Sequence, residues 1–151
     1  MTCTRRVQAG FTLIELMVVM TIAAMLIGLG PPAYERLKEA SQYRQVLRLV
    51  LSDLRNARQT AMIQGTPTRF KMDLTARRFG VEGVSEHELP QAIQMRAIVG
   101  QSSQDAQAVI VFLPDGGSTG GTVDILRNTG VGARVQVDWM MGHITQGQFV
   151  P

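Results

Sequence analysis

At 151 residues and a formal net charge of +3, the chain holds one modest domain, part of which is already claimed by an apolar N-terminal stretch. The charge is no polyanion-binding signature: Arg5 and Arg6 precede that stretch, and without residues 1–10 the balance is 13 basic against 12 acidic residues, or +1. Cys3 is the only cysteine, which excludes an intrachain disulfide and a cysteine-built metal site; His87 and His143 are too few for a histidine cluster, so no metal or cofactor is expected.

From Phe11 to Gly30 the chain runs 20 residues with one charge, Glu15. As a helix this stretch spans roughly 30 Å, the thickness of a bilayer's hydrocarbon core, and a single membrane span is expected over residues 11–32. A secretory signal peptide has a shorter apolar core followed by a small-residue cleavage site, whereas here "GLGPPAYERL" runs on into a charged amphipathic pattern. Arg5 and Arg6, with no acidic residue nearby, favour a cytoplasmic N-terminus and place the bulk of the chain across the membrane. Glu15 is the anomaly of the segment, since an ionised group in lipid costs on the order of 2–4 kcal/mol near the bilayer centre. It requires a partner or a task. Thr12-x-x-Glu15 also fits a capping box, in which the two side chains only satisfy free amides at a helix start.

Residues 33–65 read as an amphipathic helix, with Leu37, Ala40, Leu47, Val50, Leu51, Leu54, Ala57 and Ala61 at spacings of mostly three and four. Gly65 and Thr66-Pro67 are a fitting stop, because glycine accepts the left-handed cap and proline cannot continue the helix. Pro31 and Pro32 read as a kink in one long helix at the lipid–water boundary, or as a hinge there.

Residues 66–151 change period from helical to two. Phe70, Met72 and Leu74 alternate with Arg69, Lys71 and Asp73, and Phe79 with Val81 suits the returning strand. "EGVSEHELPQ" reads as a polar loop, "AIQMRAIVG" as a strand and "QSSQDAQ" as a loop. "AVIVFLP", "TVDILRN" and "ARVQVDWMM" are three further strands, separated by "DGGSTGG" and "NTGVG". The expected fold class is α+β: a long N-terminal helix, half in lipid and half packed by its stripe against a small antiparallel sheet, whose apolar face has no other long surface to cover it.

Gly10-Phe11-Thr12-Leu13-Ile14-Glu15-Leu16, with its basic leader and the apolar run that follows, resembles the N-terminus of type IV pilins and type II secretion pseudopilins. The resemblance implies the type IV pilin-like fold, removal of leader residues 1–10 by a prepilin peptidase that cuts between Gly10 and Phe11, and N-methylation of Phe11. It also implies an assembly role for Glu15, pairing with the N-terminal amine of a neighbouring subunit. Physics agrees, since a buried amine and carboxylate are each costly alone and much less so together, and their pairing sets register between helices. "VFLPDGGSTGGTVDILRN" followed by "RVQVDWMMGHI" resembles the H-type minor pseudopilins of type II secretion, which share a family with FimT-type minor pilins. Implied with it are a place at or near the tip of the pseudopilus, an inner-membrane anchor with a periplasmic C-terminal domain, and no catalytic residue. The implied partners are the other minor pseudopilins, the major pseudopilin, the inner-membrane secretion platform and the prepilin peptidase.

The remaining motifs carry plainer readings. The run Asp115–Gly121 lacks the Gly-Lys-Ser/Thr ending of a phosphate loop and leads into no helix, so it reads as a turn, and Asp115 with Ser118 offers too few oxygens for calcium. Trp139 is expected in the core and His143 on the surface. Arg44, Arg48, Arg55 and Arg58 share one flank of the helix and read as a solvated face. The alternative function is a FimT-like minor pilin binding DNA during uptake. It is disfavoured because residues 116–151 offer only Arg127 and Arg134 against Asp124 and Asp138, while phosphate binding needs several converging cations. A membrane-tethered hydrolase lacks a nucleophile, base and metal set.

Overall fold

The computed structural model describes residues 11–99 and 107–149, with the backbone alone over 28–36. Leader residues 1–10, Gly10 among them, and most of the expected loop 101–107 lie outside the described residues. The chain divides into two compact units, Met1–Lys38 and Glu39–Pro151.

One helix, α1, runs over Leu13–Gln64, and its backbone is helical through Pro31 and Pro32. Its end is built as the sequence indicates. Gly65 adopts φ +65° and its N–H donates to the carbonyl of Ala61 at 3.0 Å, a left-handed stop that a side chain would strain. Among the described residues eight strands follow: β1 (Thr68–Asp73), β2 (Arg78–Val81), β3 (His87–Glu88), β4 (Ile93–Val99), β5 (Gln107–Phe112), β6 (Gly121–Arg127), β7 (Gly132–Val137) and β8 (Ile144–Phe149).

The strands form two antiparallel sheets rather than one. β3-β2-β1-β5 make the first and β4-β6-β7-β8 the second. β5 pairs with β1, Phe70 standing opposite both Val81 of β2 and Ile110 of β5, while β6 returns to β4 with Met95 opposite Ile125. Alternation along a strand says which side chains share a face but not which strand lies alongside.

The core of the Glu39–Pro151 unit joins both sheets to α1. Val46, Val50, Leu54, Ala57 and Ala61 are buried on the helix, against Phe70 and Met72 of β1, Phe79 and Val81 of β2, and Ile110 and Phe112 of β5. Ile93, Met95, Val123, Ile125, Val135 and Val137 join the cluster from the second sheet.

Four expectations need correction. Leu37 does not belong to the stripe but is 70% exposed; the stripe starts at Val46, a position left out of the expected set. The polar loop 82–91 contains strand β3, recruited as a short edge beside β2 through His87 opposite Phe79. The chain's last strand is β8, whose pattern carries almost no apolar signal because its central residues are exposed. Trp139 is no core residue: it sits 65% exposed in the turn between β7 and β8, where the alternation of "ARVQVDW" stops at Val137.

Candidate functional site

Phe11 and the first turns of α1 are where the sequence places the chemistry. Phe11 is 78% exposed, and Leu13, Ile14, Leu16, Met17, Val18, Val19 and Met20 are exposed too, so the apolar surface runs all round the helix. A helix apolar on every side belongs in lipid or among other helices. Among the described residues no helix is long and apolar enough to cross a membrane; the span expected over 11–32 takes in positions 28–32, whose side chains are not described.

Only half of the capping box forms. The Glu15 N–H donates to Thr12 Oγ1 at 3.4 Å and the Leu16 N–H to the Thr12 carbonyl at 3.2 Å, which makes Thr12 the N-cap. The reciprocal bond, from the Thr12 N–H to the Glu15 carboxylate, is not made. Glu15 is exposed, and among the described residues its carboxylate has neither a hydrogen bond nor an ion pair. Thr12 caps the helix without it.

Both arginines of residues 116–151 have partners within the chain. Arg134 grips Asp124 in a two-pronged pair at 2.7 and 2.9 Å, which raises the guanidinium pKa above its ordinary value. Arg127 lies 4.9 Å over the ring of Tyr43; burial raises the phenol's pKa, and the Arg127 charge opposes that rise. The few cations of the distal region are therefore turned to contacts within the chain.

A buried polar group escaped the sequence reading. Asp53 sits on α1 next to Leu54, is only 6% exposed, and accepts a hydrogen bond from Ser85 Oγ at 3.0 Å, with His87 Nε2 at 3.3 Å from the same oxygen. Ser85 Oγ in turn accepts the Val81 N–H at 3.1 Å. In a catalytic chain the imidazole stands between hydroxyl and carboxylate so that it can take the proton. Here the carboxylate stands between the other two, and the arrangement pins α1 to the β2–β3 connection. The signal available beforehand was a lone acid at a core position of a helical stripe, one residue before Leu54.

The glycine-rich run is a turn. Asp115 Oδ1 accepts the Gly117 N–H at 2.9 Å, and Ser118 Oγ donates to the Asp138 carbonyl at 2.9 Å while accepting the Gly120 N–H at 3.0 Å. These oxygens hold backbone, and among the described residues no group of His, Cys, Asp or Glu is gathered for a metal ion.

Comparison with known proteins now bears on this geometry. Residues 5–30 match the prokaryotic N-terminal methylation motif, and residues 47–141 match the model for type II transport protein GspH. The type II secretion system protein H of Xanthomonas campestris pv. campestris is 34% identical over 146 residues, covering 95% of this chain and 85% of that protein. The chain belongs to the GspH family. It is a minor pseudopilin of the type II secretion system, which implies interaction with other pseudopilins in the pseudopilus. Among solved structures, the minor pseudopilin EpsH of the type 2 secretion system of Vibrio cholerae aligns with a TM-score of 0.44 at 16% identity, over 77% of this chain and 96% of EpsH. The family membership favours secretion over the FimT-like alternative.

Proposed function

We propose that this minor pseudopilin enters the pseudopilus at or near its tip through the N-terminal turn of α1, with Glu15 as the assembly contact. A prepilin peptidase removes residues 1–10 by cutting between Gly10 and Phe11, and Phe11 is then N-methylated. Residues 11–32 anchor the chain by a single pass in the bacterial inner membrane, residues 33–65 continue as the amphipathic helix, and 66–151 complete a periplasmic domain. The work is structural rather than catalytic. The chain takes part in export of folded proteins across the outer membrane alongside the other minor pseudopilins, the major pseudopilin and the inner-membrane secretion platform.

The observation that carries this reading is the Glu15 carboxylate, which is exposed in an apolar turn already capped by Thr12 and has no partner among the described residues. A carboxylate that stays ionised in such surroundings is stabilised by a cation, and cleavage before Phe11 makes one at the same end of each neighbouring helix. Glu15→Gln tests it, because glutamine serves a capping box as well as glutamate does but carries no charge. Membrane insertion and Gly10 cleavage should survive, while in vivo crosslinking to the other pseudopilins and secretion fall at matched expression. Normal crosslinks and secretion would reduce Glu15 to a helix-start residue.

A further inference from the structure

The end of the Glu39–Pro151 unit around the β7–β8 turn is unlike the rest of its surface. Trp139, Met140 and Met141 of that turn are 65, 61 and 56% exposed, and Met62 and Ile63 in the last turn of α1 are 49 and 73% exposed. They are neighbours through the Gly-rich turn: a Cβ on Gly116 would lie 3.7 Å from the Met62 sulfur, one on Gly117 would lie 3.4 Å from the Met140 carbonyl, and one on Gly120 would touch the Trp139 side chain. Exposed apolar side chains gathered this way mark an interaction surface, and Trp, Met and Arg are the residues enriched where binding energy concentrates.

Beside this collar runs a groove between α1 and the start of β8, lined by Arg55, Arg58, Met62 and Ile63 on one side and by His143 and Ile144 on the other. Among the described residues no carboxylate lines it. In the flanking turns Asp115 accepts the Gly117 N–H and Asp138 the Met141 N–H at 3.0 Å, while Arg58 Nε donates to the Gly116 carbonyl at 3.4 Å and Arg55 is exposed.

The groove opens on the end strand of its sheet. Among the described residues β8 pairs with β7 alone, in unbroken register from Ile144 opposite Val137 to Phe149 opposite Gly132. Its residues, "ITQGQF", include no charge and no proline, and the register contains no bulge. Edge strands are usually blunted by such devices, because an unpaired row of N–H and C=O groups accepts another strand. β3, by contrast, is an end strand of only 2 residues.

We propose that β8 receives an extended segment from another pilin-like subunit of the same secretion system, added as a further strand, with an acidic side chain placed at Arg55 and Arg58 and an apolar one against Met62, Ile63 and Trp139. The open edge supplies main-chain hydrogen bonds and the groove supplies side-chain selection, the division of labour of strand addition. A second copy of this chain is a poorer occupant, since two paired β8 strands bring no carboxylate to the basic groove. The inference rests on the reading that the chain assembles with other pseudopilins, and deepens it by assigning the periplasmic contact.

The test uses the full chain in cells that express the secretion system, with a photo-crosslinking residue at Gln146 on β8 or, as a reporter of the anchor contact, at Val18. Gln146 should crosslink to one other pilin-like subunit. Arg55→Glu and Gln148→Lys, both exposed positions, should each lower that crosslink about tenfold or more, the first by charge reversal and the second by blunting the edge, while Val18 crosslinks persist. Arg55→Gln should give an intermediate loss, and unchanged thermal midpoints show that the variants fold. Crosslinks from Gln146 to a second copy, to a secreted protein or to nucleic acid would overturn the proposal, as would indifference to both substitutions. Absence of Gln146 crosslinks while Val18 crosslinks remain overturns it and leaves the Glu15 reading standing. Loss of both in the otherwise unaltered chain sinks the assembly reading and this inference together.

Discussion

Replacing Leu54 with alanine probes the joint between α1 and the two sheets. Leu54 is fully buried, at the middle of the stripe from Val46 to Ala61, and the surrounding cluster draws on α1 and on strands of both sheets. A helix fixed against two sheets has little freedom to collapse into the space left behind, so the loss should fall inside the usual range of about 2–5 kcal/mol for such a truncation and not below it. For a unit of roughly 110 residues each kcal/mol moves the thermal midpoint by about 3–6 °C. A loss of about 3 kcal/mol then lowers the midpoint by roughly 10 °C or more. The assay is thermal unfolding, followed by circular dichroism, of a soluble fragment beginning at residue 33. That fragment should fold without the anchor, because every buried member of the core cluster lies at Val46 or beyond. Ile63→Ala, on the same helix but 73% exposed, is the control and should stay within about 0.5 kcal/mol of the parent. A midpoint for Leu54→Ala indistinguishable from that of Ile63→Ala would refute the packing described for α1.

Mass spectrometry of the native membrane protein should find a chain that begins at N-methylated Phe11, and Gly10→Val should block its formation by crowding the scissile bond; residues 1–10 on the assembled form would refute the processing scheme. Asp53→Ala removes the acceptor shared by Ser85 and His87 and should destabilise the fragment by about 1–3 kcal/mol through polar groups left without a partner, read from the urea midpoint at constant slope; an unchanged midpoint would mean the pin is idle. A hydrogen bond from the Ala76 N–H holds the Asp73 carboxyl below its ordinary pKa, and one from Lys71 does the same for Glu82. The folded state therefore binds these protons less tightly than the unfolded chain, so the stabilisation is present above the unfolded carboxylate range and is lost as pH falls through the lowered folded values. Thermal midpoints measured from pH 6 down to pH 3 should fall less steeply in Glu82→Gln than in the parent, and parallel profiles would remove Glu82 from the account.

Much of this molecule is local and was therefore readable in the chain. The stop at Gly65 follows from one residue's tolerance of positive φ, the pairing of β1 with β2 from an alternation interrupted by a turn, and the peculiarity of Glu15 from the cost of a charge in an apolar run. Each rests on a property of a few adjacent residues. Trp139, Asp53 and β8 were not readable, and the reason is common to all three: their environment is made by partners distant in sequence. Trp139 is apolar enough for a core, yet the register that ends β7 at Val137 leaves it on a turn. Asp53 could be buried only because Ser85 and His87, more than 30 residues away along the chain, arrive to meet its carboxylate. β8 has little periodicity of its own, and it becomes a strand because β7 offers it a complete row of hydrogen-bonding groups. The same long-range placement brings Arg55 and Arg58 of α1 beside His143 and Ile144, residues whose nearness no period of 2 or 3.6 can express, because it is the tertiary path of the chain that closes the distance between them.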